Sequence, residues 1–316
     1  MATSGSYNFS VTRDDVIKQA YGEIGLYDAE SDDSIDAGLL TDAVMKLNML
    51  VKTWGKVHGL HLLQDVVLFL VPGQQSYLLG DASTDANWCT IDDYNQTTVS
   101  AAAVSGATTV VLTTATGFTS ADRIGVVQDD GTLHWTTGTK AGSTITLASA
   151  LTGDVASGNV VFSYTSRVVR PLRLVRDSVY RRDIDDADIP VDLVGKSDYD
   201  LLTAKTQEGK IIKVAYQPLL TSGRLWVWQP HDLATDVLRF TIERPVQDFD
   251  TTTDNPDLPV EASIALYKAL AVLLAPGNGA AAELPMLRME AQIALEDWLD
   301  GDRENASVRF MPDLRR

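Results

Sequence analysis

The chain has a single cysteine, Cys89, among its 316 residues. One cysteine excludes a disulfide within the chain and a zinc site built on several thiolates. Basic residues are also scarce, since 26 Lys and Arg face 43 Asp and Glu and leave a net charge of −17. A general nucleic-acid binder, or a protein that docks on anionic lipid, needs clustered cations. The charge balance therefore argues against both functions.

The sequence pattern also indicates neither a secretory leader nor a membrane span. The first ten residues, MATSGSYNFS, lack the basic and apolar regions of a signal peptide. The apolar stretch at 66–71 is far too short to cross a bilayer. Hydrophobic residues make up 45% of the chain and charged residues 22%, which is ordinary for globular proteins. We expect a soluble protein made in the cytoplasm without an export route of its own.

The familiar catalytic signatures are missing as well. The sequence contains no P-loop, dinucleotide fingerprint, nucleophile elbow or kinase signature. His58 and His61 have the spacing of two ligands on one helix face, but no glutamate follows the first of them and cysteine ligands are absent. A helix-cap or surface role is favoured over a metal site for this pair.

Acidic clusters offer a second route to a metal site. The runs 28–36 and 183–188 lack the glycine and the glutamate that an EF-hand loop needs. Asp250, Asp254 and Asp257 share one loop and could chelate an ion, although a solvated acidic loop is the favoured interpretation. We expect no catalytic residue, no metal, no cofactor and no enzymatic activity.

Hydrophobic periodicity divides the chain into helical ends and a β-rich middle. Residues 12–60 and 259–299 have the period of amphipathic helices, while 65–250 alternates and turns often. These patterns predict an α+β fold. Its N- and C-terminal helices form one helical bundle, which brackets a β-rich insertion that includes a small β-sandwich or barrel.

Two local signals support this assignment. Thr12 and Asp15 have the spacing of a capping box at a helix start. Asp130 and Gly131 stand between two strand-like runs and predict a hairpin turn. The predicted parts are a helical bundle (1–64 and 259–301), a β domain (65–92 and 167–258), a small, self-contained β module (93–166) and an extended C-terminal arm (302–316).

A cluster of arginines runs against the acidic background. Arginine is favoured at protein interfaces because its guanidinium makes bidentate contacts to carboxylates. A solvated strand edge explains the cluster equally well. A nucleic-acid contact is the least favoured alternative. The six candidates for a subunit interface are Arg167, Arg170, Arg173, Arg176, Arg181 and Arg182.

Trp226 and Trp228 are two residues apart on a predicted strand, so both side chains lie on the same face. An exposed pair of this kind could stack on a sugar ring, whereas a buried pair belongs to the core. The core interpretation is favoured.

The order and spacing of several short patterns resemble the head-to-tail adaptor proteins of tailed bacteriophages, also described as head-completion or tail accessory factors. The resemblance touches most of the chain but rests on no catalytic motif, and the module 93–166 is a departure from the short members. The matching patterns are Ala43, Leu47-Asn48, Val51, Trp54 and Gly59; Arg170-Pro171-Leu172-Arg173; Ser197-Asp198-Tyr199, Leu202 and Lys205; Leu225-Trp226-Val227-Trp228; Pro259, Leu266, Leu270 and Pro276; and Ser307 to Pro312.

The resemblance implies a structural virion protein at the head–tail interface, made in the cytoplasm of the host bacterium. Copies of the chain would form a homo-oligomeric ring of 12, to match the portal, through which double-stranded DNA passes without specific binding. The partners implied are the portal protein, a tail nozzle or tube protein and neighbouring copies; no membrane is implied. Portal contact is expected from the C-terminal arm, at Ser307, Val308, Arg309, Phe310, Met311 and Pro312.

Two alternatives remain open at the level of sequence. The chain could be a tail nozzle or tail-tube subunit, which would differ from an adaptor in not binding the portal. It could also be a carbohydrate-binding or glycan-hydrolysing tail module built on the β-rich middle.

Overall fold

The computed structural model describes residue 6 and the ranges 8–28, 35–57, 62–81 and 86–301. The chain divides into two compact units, which are considered separately. The helical unit comprises residues 1–61 and 246–316, and the β unit comprises residues 62–245.

Helices and strands within the described ranges are as follows. The helices are α1 (Arg13–Glu23), α2 (Ala37–Val57), α3 (Lys196–Asp200), α4 (Ser263–Leu274) and α5 (Leu284–Gly301). The strands are β1 (Leu63–Phe69), β2 (Ser76–Leu79), β3 (Trp88–Thr90), β4 (Asn95–Ala101), β5 (Thr109–Leu112), β6 (Arg123–Val127), β7 (Leu133–Ala141), β8 (Thr144–Leu147), β9 (Val160–Tyr164), β10 (Arg173–Leu174), β11 (Tyr180–Arg182), β12 (Asp188–Pro190), β13 (Asp192–Val194), β14 (Lys213–Pro218), β15 (Gly223–Trp228) and β16 (Val237–Glu243).

In the helical unit, α4 is the central element and packs against α1, α2 and α5. The helix α1 begins where predicted: Thr12 Oγ1 accepts a hydrogen bond from the Asp15 N–H, and the Thr12 N–H donates to Asp15 Oδ2 (3.1 Å). This reciprocal pair satisfies two backbone donors that would otherwise lack partners at the helix start. The capping box is confirmed.

The stretch Val260–Asn278, which contains α4, is long and apolar enough to cross a membrane by length and composition alone. It is the one such stretch in the described ranges, and it is longer than the apolar stretch at 66–71. Leu266, Leu270 and Leu274 are fully buried, and α4 packs against three helices. A core helix of a globular unit has this same character.

The segment 246–258 was assigned to the β domain from sequence, and its contacts place it in the helical unit. Asn48 of α2 donates from Nδ2 to the Phe249 carbonyl (3.2 Å) and accepts the Phe249 N–H at Oδ1 (2.9 Å). Because one amide side chain satisfies both backbone groups of Phe249, the segment is fixed against α2.

The β unit contains two sheets and a closed barrel. The first sheet has the strand order β12-β11-β16-β1-β3, with β10 also paired to β16, and the second has the order β13-β14-β15-β2. A shared core includes Val66 and Leu68 of β1 and Leu225 and Val227 of β15. The two sheets therefore face each other across this core.

Strand β1 is buried on both faces. Val66 and Leu68 belong to the core between the sheets, while Val67 and Phe69 belong to a second core that includes barrel residues. Because successive side chains of a strand point to opposite faces, burial of both faces requires a continuous apolar run. This explains the stretch at 66–71.

The barrel has the strand order β4-β5-β8-β7-β6-β9 and closes through pairing of β9 with β4. The Asp130-Gly131 turn joins β6 to β7 as predicted, with Gly131 at φ 81°. Glycine is favoured there because a side chain at positive φ is strained. The barrel has its own interior, lined by residues such as Val110, Ile124 and Phe118.

The prediction that this module is self-contained is wrong. Phe69 of β1 lies among aromatic residues of the barrel and the approach to it, with ring centroids 5.0 Å from Trp135, 5.1 Å from Phe162 and 5.6 Å from Tyr164. The sequence showed a module rich in small polar residues. It did not show that these few aromatic side chains collect on one outer face and pack against β1.

The predicted fold class is also wrong. The described residues form a mainly β structure of two sheets and a closed six-stranded barrel, with few helices. The helices cluster around α4, and α1 and α2 do not pair along their lengths as in a regular bundle. The long helices have strong periodic patterns in the sequence, whereas each of the many strands of two to nine residues leaves only a weak signal.

Candidate assembly surfaces

An ionic network is buried in the β unit. Asp236 Oδ2 lies 2.9 Å from His231 Nε2 and 3.0 Å from Arg181 Nη1, and all three side chains are almost fully enclosed. Lys210 Nζ is 3.7 Å from the same oxygen. The network ties the loop before β16 to β11. Because a substrate could not reach these groups without local opening, we assign the network to stability rather than to chemistry.

The Asp236 carboxylate stays ionised in this network. Burial alone would raise its pKa, but the hydrogen bond from His231 and the charges of His231, Lys210 and Arg181 outweigh burial, so the pKa is lowered. A buried carboxylate with several cationic partners is a stable anchor as long as every partner is present.

The acidic clusters considered for metal binding serve as turn and loop caps. Asp183 Oδ1 accepts the N–H groups of Asp185 (3.0 Å) and Ala187 (2.9 Å). Asp254 Oδ2 accepts the N–H of Asp250 at 2.7 Å. In the ranges that the structure describes, no group of three or more His, Cys, Asp or Glu is placed to hold a metal. His58, His61 and residues 29–34 lie outside the described residues.

Several arginines proposed for a subunit interface bond within the chain. Arg181 is buried on Asp236, and Arg182 makes a bidentate pair with Asp188 (2.7 Å for each bond). Arg170 Nη1 donates to the Leu219 carbonyl at 2.7 Å. These bonds stabilise the β unit.

Two of the other three arginines, Arg173 and Arg176, are exposed, and Arg173 and Arg167 bond within the chain. Arg173 pairs with Glu243, and Arg167 donates to Asn87 Oδ1 at 3.3 Å. Arg176 is exposed. A role of the six arginines in a subunit interface stays a prediction.

Trp226 and Trp228 share a face of β15, but that face is not the core. Both are half-buried, whereas Leu225 and Val227 on the other face are buried. The Trp226 ring is covered by Lys196 Nζ (5.0 Å from its centroid) and lies 5.7 Å from the ring of Tyr199. The core interpretation is therefore wrong, since period-two spacing shows that residues share a face without showing which face is covered.

Two helices of the helical unit carry apolar side chains toward solvent. Met45 and Met49 of α2 are exposed, Met49 to 60%. Thr41 and Thr53 extend this line by one turn at each end, and their hydroxyls donate to the carbonyls four residues earlier. We call Thr41, Met45, Met49 and Thr53 the α2 stripe. Its side chains carry no charge, although the chain as a whole is strongly acidic.

Helix α5 carries a second line of this kind. Met286, Met289 and Ile293 are exposed, Met289 to 58%, and have the i, i+3, i+7 spacing of one helix face. We call these residues the α5 stripe. Burial of each such side chain would stabilise a contact by about 1.5–3 kcal/mol. Contiguous exposed apolar surface of this type marks interaction sites in globular proteins.

Neither stripe is among the features predicted from the sequence, although the spacing of the methionines indicates both. The sequence pattern predicts the inward apolar faces of α2 and α5, which include the buried Leu47 and Leu287. A second apolar line on the opposite face of each helix is visible in the spacing of the methionines. A helix with two apolar faces has more partners than its own unit supplies.

An apolar groove lies between α1 and the segment that leads into α4, with a volume of about 550 Å³. We call it the α1–α4 groove. Its lining residues are Phe9, Ser10, Val11, Asp15, Val16, Gln19, Val260, Glu261, Ser263, Ile264 and Tyr267.

The C-terminal residues expected to bind the portal, Ser307 to Pro312, lie outside the described residues. No family model matches the chain, and no curated protein matches it. The adaptor resemblance therefore rests on the residue patterns alone and stays a prediction.

Proposed function

We propose that the chain is a structural subunit that assembles with copies of itself through its helical unit, as the adaptor ring between portal and tail of a tailed phage. One observation carries the self-assembly: a single unit presents two different exposed apolar stripes, on α2 and on α5. The portal, the tail and a ring of twelve come from the resemblance.

Two different faces on one subunit favour a ring over a simple dimer. A two-fold dimer uses the same patch on both partners, whereas a ring needs one surface to meet a different surface of the next copy. The α2 stripe from Thr41 to Thr53 is about 18 Å long at 1.5 Å per residue, and the α5 stripe from Met286 to Ile293 is about 10 Å long. These lengths suit a helix-to-helix contact between neighbours.

The charge of the chain is compatible with a DNA conduit. A net charge of −17 per subunit gives a ring a negative field, and a lumen of like charge does not retain passing duplex. A strongly basic lumen in the assembled ring would contradict this part of the proposal.

Paired face variants test the assembly mode. Met45→Glu with Met49→Glu places charges on the α2 stripe, and Met286→Glu with Met289→Glu does so on the α5 stripe. Each variant alone should remain a monomer under conditions in which the unmodified chain assembles, on a portal if assembly requires one. Mixed together, the two variants should form a dimer and nothing larger, because one intact interface remains. The measurement is sedimentation velocity.

The control places the same charge elsewhere. Leu220 is 94% exposed in the β unit, so Leu220→Glu should leave assembly unchanged. Full-size assemblies from either face variant would contradict the proposed contact. Failure of the mixture to dimerise would contradict a contact between the α2 and α5 stripes.

Portal binding separates an adaptor from a nozzle or tube subunit. Deletion of residues 302–316 should abolish binding to the portal ring while the far-ultraviolet circular dichroism of the subunit is retained. Unchanged binding of the shortened chain to purified portal would overturn the role of the C-terminal arm. Absence of any portal binding by the full chain would favour the nozzle or tube subunit.

A further inference from the structure

The α1–α4 groove leaves apolar side chains exposed around a common space. Phe9 is 76% exposed and faces the same groove as Ile264, which is 57% exposed. Val11, Val16, Val260 and Tyr267 are the other apolar residues of the lining. A groove of about 550 Å³ is large enough for two or three side chains of a peptide, and apolar side chains would gain most from it.

The charged residues of the lining are acidic. Asp15 and Glu261 stand at the groove, and both are exposed. Hydrogen bonds from the Thr12 side chain and backbone lower the pKa of the Asp15 carboxyl, so it is ionised at neutral pH. No Lys, Arg or His is among the described lining residues. The complementary occupant is therefore an apolar peptide with a cationic side chain.

The course of α5 brings the end of the described chain toward this groove. Lys268 of α4 bonds Glu290 of α5 (2.7 Å), and the two helices are joined by a short connection, so they run in opposite directions. Val260 is eight residues before Lys268, and Trp298 is eight residues after Glu290. At 1.5 Å per residue, each lies about 12 Å from the Lys268–Glu290 bond, toward the same end of the helix pair. Helix α5 also contacts the 3₁₀ turn Val260–Ala262. The chain thus leaves α5 at Gly301 close to the groove wall.

The residues that follow have the required chemistry. Residues 302–316 contain four arginines and three carboxylates, a net charge of +1 in a chain of −17. Within them Arg309 is followed by Phe310 and Met311. Phe310 is nine positions after Gly301, which is an extended reach of about 30 Å. Length, charge and apolar content all match the groove.

We propose that the α1–α4 groove binds the C-terminal segment of its own chain, with Phe310 and Met311 on the apolar lining and Arg309 against Asp15 and Glu261. The groove then holds the same residues that the adaptor proposal assigns to the portal. Portal binding would require their release from the groove, and an unassembled subunit would keep them covered. The groove contact itself does not depend on the existence of a portal.

Cysteine crosslinking in the full-length chain tests the contact. Ile264→Cys with Met311→Cys places one thiol in the groove and one in the segment. Met289→Cys with Met311→Cys is the matched control on the α5 stripe. The native Cys89 is buried, and its thiol pKa is raised mainly by burial and to a lesser extent by the charge of Asp93. Reaction of Cys89 with the maleimide should therefore be slow.

With a short bismaleimide at low protein concentration, the groove pair should form an intramolecular crosslink at least tenfold faster than the control pair. Equal rates for the two pairs would overturn the proposal. A crosslink found only as a dimer band would overturn it too, since the groove would then hold the segment of a second copy.

An exchange of charges between Arg309 and Glu261 tests the proposed ion pair, again through the crosslinking rate. Arg309→Glu should slow the groove crosslink several-fold, and so should Glu261→Arg. The two changes together restore opposite charges and should recover most of the rate. Slow crosslinking in the double variant would contradict the placement of Arg309 beside Glu261. Because no portal is present in these measurements, their failure is distinct from failure of the adaptor proposal.

Discussion

The indole ring of Trp54 stacks on that of Trp298, with 5.7 Å between the ring centroids and 26° between the planes. Both residues are buried, one on α2 and one near the end of α5. The pair therefore links the two helices whose opposite faces carry the exposed stripes. Offset stacking of this kind adds about 0.5–1.5 kcal/mol beyond the area that the rings bury.

Trp298→Ala should lower the free energy of unfolding of the helical unit by about 3–5 kcal/mol, since a large buried side chain is replaced by a cavity. Chemical denaturation followed by circular dichroism at 222 nm measures the loss. Trp226→Ala is the matched control, because that indole is only half-buried and lies in the β unit. Equal losses from the two substitutions would contradict the assigned role of the stack.

Thr12→Ala should destabilise the helical unit by about 1 kcal/mol, because it removes the hydroxyl that caps α1. Thr41→Ala makes the same chemical change on the α2 stripe and should be neutral or slightly stabilising, since alanine is the better helix former there. Thermal unfolding of the two variants provides the comparison. A similar loss from both would mean that the capping box contributes nothing measurable.

Local signals made part of this fold predictable. The capping box at Thr12 and the Asp130-Gly131 turn depend on residues within a few positions of each other, and both are present. Barrel closure depends instead on the pairing of Asn95 with Ser163 across the length of the module. Such long-range pairings leave no mark in a single sequence, and for that reason the sequence could not decide between a sandwich and a barrel.

The candidate surfaces show a similar division. The exposed line of Met286, Met289 and Ile293 could have been found from its spacing, since a helix buried on one side should be polar on the other. The α1–α4 groove could not, because Phe9 and Ile264 meet only after α1 has packed on α4. The burial of Arg181 could not be predicted either, since its partner Asp236 lies on a loop far away in the sequence.

Asp236→Asn should lower the stability of the β unit by about 3–5 kcal/mol at pH 7, because it leaves the buried Arg181 without its carboxylate. The pKa of Asp236 is lowered in the folded chain, so its stabilisation is present above the unfolded value of about 3.9. It is lost as the pH falls through the folded pKa. The stabilities of variant and wild type should therefore begin to converge as the pH falls below about 4, and they should become equal only below the lowered folded pKa of Asp236.

Asp188→Asn is the matched control for the pH experiment. Asp188 pairs with Arg182 at the surface, where such pairs contribute about 1 kcal/mol or less. Its stability loss should be small and reduced further by salt. A loss from Asp188→Asn as large as that from Asp236→Asn would contradict the distinction between the buried network and the surface pair.

Phe69→Ala should weaken the packing of the first sheet against the barrel. Its ring packs against four aromatic side chains beyond β1, which are Tyr94, Trp135, Phe162 and Tyr164. Removal of the ring should lower the free energy of unfolding by about 3–5 kcal/mol. Hydrogen exchange should quicken in β1 and in the barrel strands that face it. Phe118→Ala, inside the barrel, should quicken exchange in the barrel while β1 stays protected. Equal acceleration of hydrogen exchange in β1 by both substitutions would mean that the first sheet and the barrel unfold as one cooperative unit. Phe69 would then not contribute specifically to the contact between them.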